Sequence, residues 1–90
     1  MEKRIGSVLI LLSGKDAAPI VNTVISRHSS IIIGRQGLPL RGYDHAIISL
    51  VLEGTTDQIG SLTGQLGRIE GVKVKSVVLK IQDDDKNDDQ

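Results

Sequence analysis

Aromatic side chains are almost missing from this chain: they make up 1% of it, contributed by Tyr43 alone, and there is no Phe or Trp. Bases and flat cofactors are often bound by stacking on aromatic rings, so the usual platform for such ligands is absent. The core must therefore be aliphatic. Its Ile, Val and Leu favour a packed sheet, because β-branched residues fit strands well.

Cysteine is also missing, which excludes a disulfide, a thiolate metal site and a cysteine-ligated iron–sulfur cluster. The two histidines are His28 and His45. Since a metal site usually takes three or four ligands, we predict no metal site within one chain and no cofactor. A metal site shared between subunits could be built from His45; the alternative is that both are ordinary surface histidines.

Long apolar runs are missing too: none approaches the roughly 18 residues of a membrane span. Lys3 and Arg4 precede an apolar run, as in a signal peptide. That run, from Val8 to Leu12, is too short, and no small-residue cleavage site follows it. We therefore expect a cytoplasmic protein without membrane contact.

The net charge is zero, but it is unevenly distributed. Residues 1–82 carry ten Lys or Arg against six Asp or Glu, whereas residues 83–90 contain five Asp, one Lys and no apolar residue. A run of that composition cannot bury surface. We predict a single domain over 1–82 and an acidic disordered tail over 83–90. The small charge of the domain does not favour direct nucleic-acid binding.

The first half of the chain changes its apolar period twice. From Arg4 to Leu12 both alternating faces are apolar, which is typical of a strand covered on two sides. From Asp16, a candidate N-cap, to His28 the apolar residues recur at helical spacing; these positions are Ala17, Ile20, Val21, Val24, Ile25 and His28. A second strand starts near Ile31.

The second half repeats the order of strand and helix. A turn over 41–44 leads to a third strand over 45–53, and Thr55 with Gln58 forms a capping box that starts a second helix. The apolar stripe of that helix is Ile59, Leu62, Leu66 and Ile69. Gly71 is predicted to stop the helix, and a fourth strand follows from Val72 to Ile81.

The order β-α-β-β-α-β predicts an α+β fold of the ferredoxin-like type. Because each crossover is right-handed, both helices lie on one face of a four-stranded antiparallel sheet, in a two-layer sandwich. The third strand nevertheless has Ile47 and Val51 opposite its other apolar residues. A second apolar face would be a large exposed patch, so we predict a homo-oligomer, a dimer or a tetramer. The alternative cover, the chain's own tail, is acidic.

The second helix contains Gly60, Gly64 and Gly67, here called the glycine strip. Each glycine costs roughly 1 kcal/mol relative to alanine inside a helix, so three need a reason. One reason is close packing on the sheet or on a neighbouring helix. Another is a bare strip of backbone that a ligand or partner subunit approaches, and a contact between subunits satisfies both.

The segment Gly34–Gly37 resembles a phosphate loop only superficially, because it leads into another strand and not into a helix. Arg35 within it could pair with an anion or with a carboxylate of another chain. No spacing indicates a Ser-His-Asp arrangement, and no carboxylate pair stands out. We therefore predict that the protein is not an enzyme.

Several segments together resemble a family of candidate iron-only hydrogenase system regulators. They are Ile31–Pro39, Ile48–Leu50, Gly54–Gly60, Leu62–Gly64, Leu66–Arg68 and Gly71–Ser76. The resemblance extends from about Arg4 to Lys80. Members are small stand-alone domains of ACT-like fold, similar in fold to the C-terminal regulatory domain of nickel-responsive repressors. The acidic tail and the pair His28-Ser29 depart from the family pattern, and nickel binding is not implied because the chain has no cysteine.

The resemblance implies an oligomeric, ligand-sensing regulatory module. ACT-like domains generally bind effectors where subunits meet, so we predict a small anionic or polar effector at such an interface. The predicted ligand-binding residues are Gly34, Arg35, Gly37, Thr56, Asp57, Gly60, Gly64 and Gly67. The alternative function is a structural or interaction subunit that scaffolds a protein partner without binding a small molecule.

Removing Asp83 to Gln90 is expected to change the melting temperature by less than about 2 °C, because a charged run without apolar residues adds nothing to a core. Differential scanning calorimetry and sedimentation of the full-length and shortened chains test this. A large fall in melting temperature, or a change of oligomeric state, would contradict it.

Overall fold

The computed structural model describes residues 2–42 and 44–81. The acidic tail predicted over 83–90 and the single aromatic residue lie outside them. The elements, in chain order, are β1 (Arg4–Ser13), α1 (Ala17–Arg27), a 3₁₀ turn (Ser29–Ile31), β2 (Ile32–Leu40), β3 (His45–Gly54), α2 (Thr56–Gly67) and β4 (Val72–Lys80). Neither helix has the length and apolar character that crossing a bilayer requires.

The strands form one antiparallel sheet in the order β2-β3-β1-β4. The two central strands are therefore β1 and β3, which are also the most apolar. In their register Val8 lies opposite Leu50 on one side and opposite Ser76 of β4 on the other. This is the predicted ferredoxin-like α+β architecture, and the fold prediction is confirmed.

The core lies between the sheet and the helices. One face of β1 and β3 supplies side chains that are fully buried, among them Val8, Ile10, Leu50 and Leu52. The helices cover them with the stripe predicted from their period; its buried members are Ala17, Val21, Val24 and Ile25 of α1 and Ile59, Leu62 and Leu66 of α2. Each side chain so buried contributes on the order of 1.5–3 kcal/mol.

The opposite face of the sheet, which no helix of the described residues covers, is here called the outer sheet face. Its alternating positions hold Ile5, Leu9 and Leu11 of β1, Ile47 and Val51 of β3, Leu38 of β2 and Val77 and Leu79 of β4. Within the described residues, Leu9 is 51% exposed, Leu38 54% and Val77 64%. The prediction of two apolar faces is therefore confirmed for the single chain.

The capping box that begins α2 is formed in full. The backbone N–H of Gln58 donates to Thr55 Oγ1 at 3.1 Å, and the backbone N–H of Thr55 donates to Gln58 Oε1 at 2.8 Å. The predicted end of this helix was wrong: α2 stops at Gly67, not at Gly71. Gly71 has a φ of +84° and belongs to the turn into β4, which a β-carbon would strain.

The first crossover differs from prediction in two details. Asp16 stands at the N-cap position of α1, but it has helical backbone angles and its side chain makes no capping bond. A capping carboxylate requires an extended backbone, which explains the difference. Ile31 belongs to the 3₁₀ turn, where it is buried, so β2 begins one residue later than predicted.

Gly34 to Gly37 form no loop. They lie inside β2 and pair with β3, with a register shift between Ile32 and Gly34 that leaves Ile33 as the extra residue. Arg35 therefore lies within the strand, where it pairs with Leu50, and the ladder to β3 continues through it. Two glycines inside a strand weaken its propensity, and here the pairing outweighs that cost.

Gly54, at the end of β3, is expected to be intolerant of even one methyl group. A β-carbon there would lie 2.8 Å from Gln58 Oε1 and 3.0 Å from Ile31 Cγ2. Relief requires moving a buried side chain and the acceptor of the capping box, so Gly54→Ala should lower the free energy of unfolding by about 1–3 kcal/mol. Urea unfolding measures this.

Gly60→Ala is the matched control, since a β-carbon at Gly60 meets no atom within 4 Å. It should leave stability unchanged or raise it by up to about 1 kcal/mol. Equal effects of the two substitutions would contradict the packing described at Gly54.

Candidate functional site

Arg35 extends from the helix-facing side of β2 toward α1. Its Nη2 donates to Asn22 Oδ1 at 2.8 Å, and both side chains are exposed. Arg35 therefore ties the edge strand to the helix layer while part of its guanidinium stays open to solvent. The flanking Gly34 and Gly37 lie in the strand, and Gly34 sits against Val51, whose Cβ would be 3.5 Å from an added methyl group.

The glycine strip faces solvent. Among residues 2–42 and 44–81, a β-carbon added at Gly60, Gly64 or Gly67 would meet no atom within 4 Å outside the helix's own backbone. Close packing on the chain's own sheet or on its own first helix therefore does not explain these glycines. A contact with a ligand or with another chain remains as the explanation.

Within one chain Arg35 and the glycine strip are not brought together. β2 is one edge of the sheet and β4 is the other. α2 packs mainly on β4, and α1 packs beside α2, whereas Arg35 reaches α1 from the β2 edge. A single site that contains both therefore needs residues from two copies.

The remaining predicted residues lie in the first turn of α2. Thr56 Oγ1 accepts a hydrogen bond from Arg4 Nε at 3.2 Å, and Arg4 also pairs with Glu2 at 3.2 Å. Asp57 is exposed. These contacts join the start of α2 to the start of β1, so Thr56 has a structural role already and Asp57 is the member that points to solvent.

His28 was not among the predicted site residues, yet it links the two helices. Its Nδ1 lies 2.8 Å from the carbonyl oxygen of Val24, and its Nε2 lies 3.2 Å from Ser61 Oγ of α2. A carbonyl can only accept, so Nδ1 donates, and in the neutral ring Nε2 accepts from the hydroxyl. Ser61 Oγ in turn accepts from Gln65 Nε2 at 3.1 Å. The sequence held a signal: His28 continues the buried stripe of α1.

Beside this link lies a cleft of about 220 Å³, which we call the α1–α2 cleft. It is lined by Arg27, His28, Ser30, Ile31, Gln58 and Ser61. The lining holds one cationic side chain, three polar neutral side chains, a histidine and a buried isoleucine, and no carboxylate. Its charge and donors therefore favour a negatively charged or acceptor-rich group.

His45, the candidate for a shared metal site, begins β3 and is half-buried. Together with Lys15 and Asp44, it lines a hollow where β1 ends and β3 begins, next to the start of α1. In residues 2–42 and 44–81 no three His, Asp or Glu side chains are grouped as metal ligands would be. A metal site built from two copies stays a prediction.

Residues 4–76 match the model of the TM1266-like family, described as an iron-only hydrogenase system regulator. The chain belongs to this TM1266-like family. A solved structure, the uncharacterized protein TM1266 from Thermotoga maritima, is 42% identical; the match covers 88% of this chain and all of that chain, with a TM-score of 0.84. No curated protein matches the sequence.

More distant structures share the fold of this TM1266-like protein. The ACT domain of the GTP pyrophosphokinase of Chlorobium tepidum superposes with a TM-score of 0.67 at 20% identity, over 81% of this chain and 96% of that domain. CPII from Thiomonas intermedia K12, solved with ADP, AMP and acetate, gives a TM-score of 0.54 at 13% identity over 91% and 93%. The ACT-like fold implied by the sequence resemblance is confirmed.

The His28–Ser61 link should stabilise the helix pair of the TM1266-like domain. Ser61→Ala removes the hydroxyl that the half-buried ring contacts, and His28→Ala also frees the Val24 carbonyl, so each should lower the free energy of unfolding by about 1 kcal/mol. Because the two residues act together, the double variant should cost less than the sum. Ser26→Ala, an exposed serine on α1, is the control; strict additivity would contradict the link.

Proposed function

We propose that this protein is a non-enzymatic, homo-oligomeric regulatory module that binds a small anionic or polar effector where its copies meet. The observation that carries the proposal is the outer sheet face, an uncovered aliphatic surface on a domain whose family is described as a regulator. Of the two fold neighbours, one is the ACT domain of a pyrophosphokinase and the other was solved with nucleotides.

The outer sheet face fits a second copy in size. Four strands about 4.8 Å apart and about nine residues long, at about 3.3 Å per residue, give a flat area of roughly 570 Å² before side-chain relief is added. A standard interface buries about 800 Å² per partner. A two-fold contact is self-complementary, so one apolar face covers another like it.

Charge is placed at the margin of that face and not at its centre. Lys73 and Lys75 lie on β4, the edge strand, in register with Leu11 and Leu9. Toward the middle, Ser7 and Ser49 are neutral. An apolar patch with a charged rim is the usual anatomy of an interface between proteins.

A dimer through the outer sheet face leaves the predicted effector residues on the other side of the domain. Arg35 reaches α1 from strand β2, and the glycine strip lies on α2, which packs mainly on β4. A site that contains both therefore needs a second contact, made by the helix layer of another copy. Two different two-fold contacts combine in a D₂ tetramer, which we favour over the dimer.

An enzymatic role lacks a suitable dyad. The closest arrangement in the described residues is Ser61 with His28 at 3.2 Å. The ring is held by a backbone carbonyl and not by a carboxylate, and Ser61 accepts from Gln65. These bonds join two helices, and none of them supplies a general base aimed at a substrate.

The alternative hypothesis is a scaffold subunit that binds no small molecule. Both hypotheses use the outer sheet face for assembly, and they differ only in the role of the helix layer. The exposed glycine strip costs helix stability and packs on none of the described residues, which favours the effector hypothesis.

Val51→Lys tests the assembly. It places an ammonium in the middle of the outer sheet face, once from each copy, and an unpaired buried charge costs several kcal/mol. The dissociation constant measured by sedimentation should rise at least about 100-fold, while circular dichroism of the domain stays unchanged.

Thr23→Lys is the control for that test, because it adds the same charge to an exposed position of α1, on the other layer. It leaves the outer sheet face intact, so it should not change the dissociation constant of the dimer formed through that face, even where it weakens the second contact through the helix layer. Equal effects of the two variants, or a wild-type chain that is monomeric at micromolar concentration, would refute the proposed interface.

Gly64→Ala tests the effector site. In one chain the added methyl group meets no atom, so the domain itself should gain up to about 1 kcal/mol. In a thermal-shift screen of nucleoside mono- and diphosphates and small carboxylates, a true effector should raise the wild-type melting temperature by about 5 °C or more. The variant should lose that shift and keep its oligomeric state.

Loss of the oligomer in Gly64→Ala without any ligand would instead show that the strip only packs subunits together. A screen in which no compound stabilises wild type would count against sensing and in favour of the scaffold.

A further inference from the structure

We propose that the α1–α2 cleft is a binding site for a phosphoryl group, with Arg27, Gln58 and Ser30 as its donors. The cleft lies within a single chain, so the inference does not depend on the proposed oligomer or on the effector residues predicted from the sequence.

The acceptors that border the cleft are already used. The carbonyl of Val24 accepts from His28 Nδ1, and the carbonyls of Ile25 and Ser26 accept from backbone N–H groups at the end of α1. The carbonyl of His28 accepts from the backbone N–H of Ile31 at 3.1 Å. These bonds occupy those four carbonyls and so lower the partial negative charge that the C-terminal end of α1 presents to an anion.

In the side chain of Gln58, too, the acceptor is occupied while the donors are not. Its Oε1 accepts from Thr55 in the capping box at 2.8 Å. That bond fixes the orientation of the amide and leaves both N–H groups of Nε2 for another partner. The box that begins α2 thus also fixes one of the side chains that line the cleft.

The remaining donors have no acceptor within residues 2–42 and 44–81. The guanidinium of Arg27 and the hydroxyl of Ser30 line the cleft and make no hydrogen bond or ion pair there. The described residues that line the cleft include no carboxylate with which Arg27 could pair. Ser61 is already committed to His28 and Gln65 and holds the wall in place.

A phosphoryl group matches this set better than a carboxylate. Arg27 presents a fork of donors that suits two oxygens. Gln58 adds a donor from α2, and Ser30 adds a hydroxyl from the 3₁₀ turn that follows α1. A phosphate monoester has three terminal oxygens, one more than a carboxylate. The volume of about 220 Å³ is several times the roughly 30 Å³ of a water molecule, so the group fits with room for the atom that carries it.

The test is an NMR titration of the full-length protein with inorganic phosphate, at constant ionic strength set with chloride. Backbone amide signals of Arg27, Ser30 and Gln58 should shift together and saturate, with a dissociation constant in the millimolar range. Arg27→Gln should weaken binding about 10-fold or more.

Arg41→Gln is the matched control: it removes the same charge from an exposed arginine in the turn after β2, at the opposite end of that strand from Ile31, which lines the cleft. It should change phosphate affinity less than about twofold, because the nine residues of β2, at about 3.3 Å each, place it well beyond the Debye length over which exposed charges act. Ser30→Ala, a substitution of an exposed side chain, should weaken binding a few-fold while the circular dichroism spectrum is kept.

Shifts that do not saturate, or equal weakening by Arg27→Gln and Arg41→Gln, would mean general attraction to positive charge and overturn the site. Acetate is the second probe. Acetate binding as tight as phosphate would overturn the assignment to a phosphoryl group. Sedimentation in the same buffers separates these results from assembly, so a monomeric protein that binds phosphate at Arg27 refutes the oligomer and keeps the site.

Discussion

An aliphatic sheet with two apolar faces and helices for only one of them is the constraint on which this structure depends. The helices bury the inner face of β1 and β3 completely, and Val8, Leu50 and Leu62 have no exposed surface. The outer sheet face keeps Leu9, Leu38 and Leu79 more than half exposed within the described residues. With 1% aromatic content and no cysteine, the domain has neither large rings nor disulfides to compensate for a small core.

The fold could be predicted because its signals are local and agree with one another. The alternation of β3 and the period of α2 each specify which side chains are buried, and the capping box fixes the start of α2 through Thr55 and Gln58. The errors occurred where tertiary pairing outweighed local preference. Gly34 and Gly37 favour a loop by composition, yet the ladder to β3 runs through them.

Predicting the site residues was harder because their roles depend on contacts distant in sequence. His28 and Ser61 are 33 positions apart, and no local pattern indicates that a ring closing α1 meets a hydroxyl of α2. The bond from Arg35 to Asn22 needs the strand order and the position of α1 as well. The spacing of the three glycines showed that they share one stripe of α2. It did not show that the stripe faces solvent, because adjacent residues of a helix differ in direction by about 100°. That angle is enough to separate the buried face, with Leu62 and Leu66, from the exposed one.

The two layers of the domain have separate chemistry, and hydrogen bonds at the start of α2 join them. The outer sheet face is mainly aliphatic, whereas the helix layer holds Arg27, the glycine strip and the cleft. Gln58 Oε1 accepts a hydrogen bond from the backbone N–H of Thr55, which directly follows β3. Thr56 Oγ1 accepts a hydrogen bond from Arg4 of β1. A group bound at Gln58 and Arg27 therefore acts on α1, α2 and the ends of both central strands. If binding there and assembly of the sheets favour the same position of the helices, each must strengthen the other by the same free energy. Such reciprocity is what the proposed regulatory domain needs in order to report on an effector.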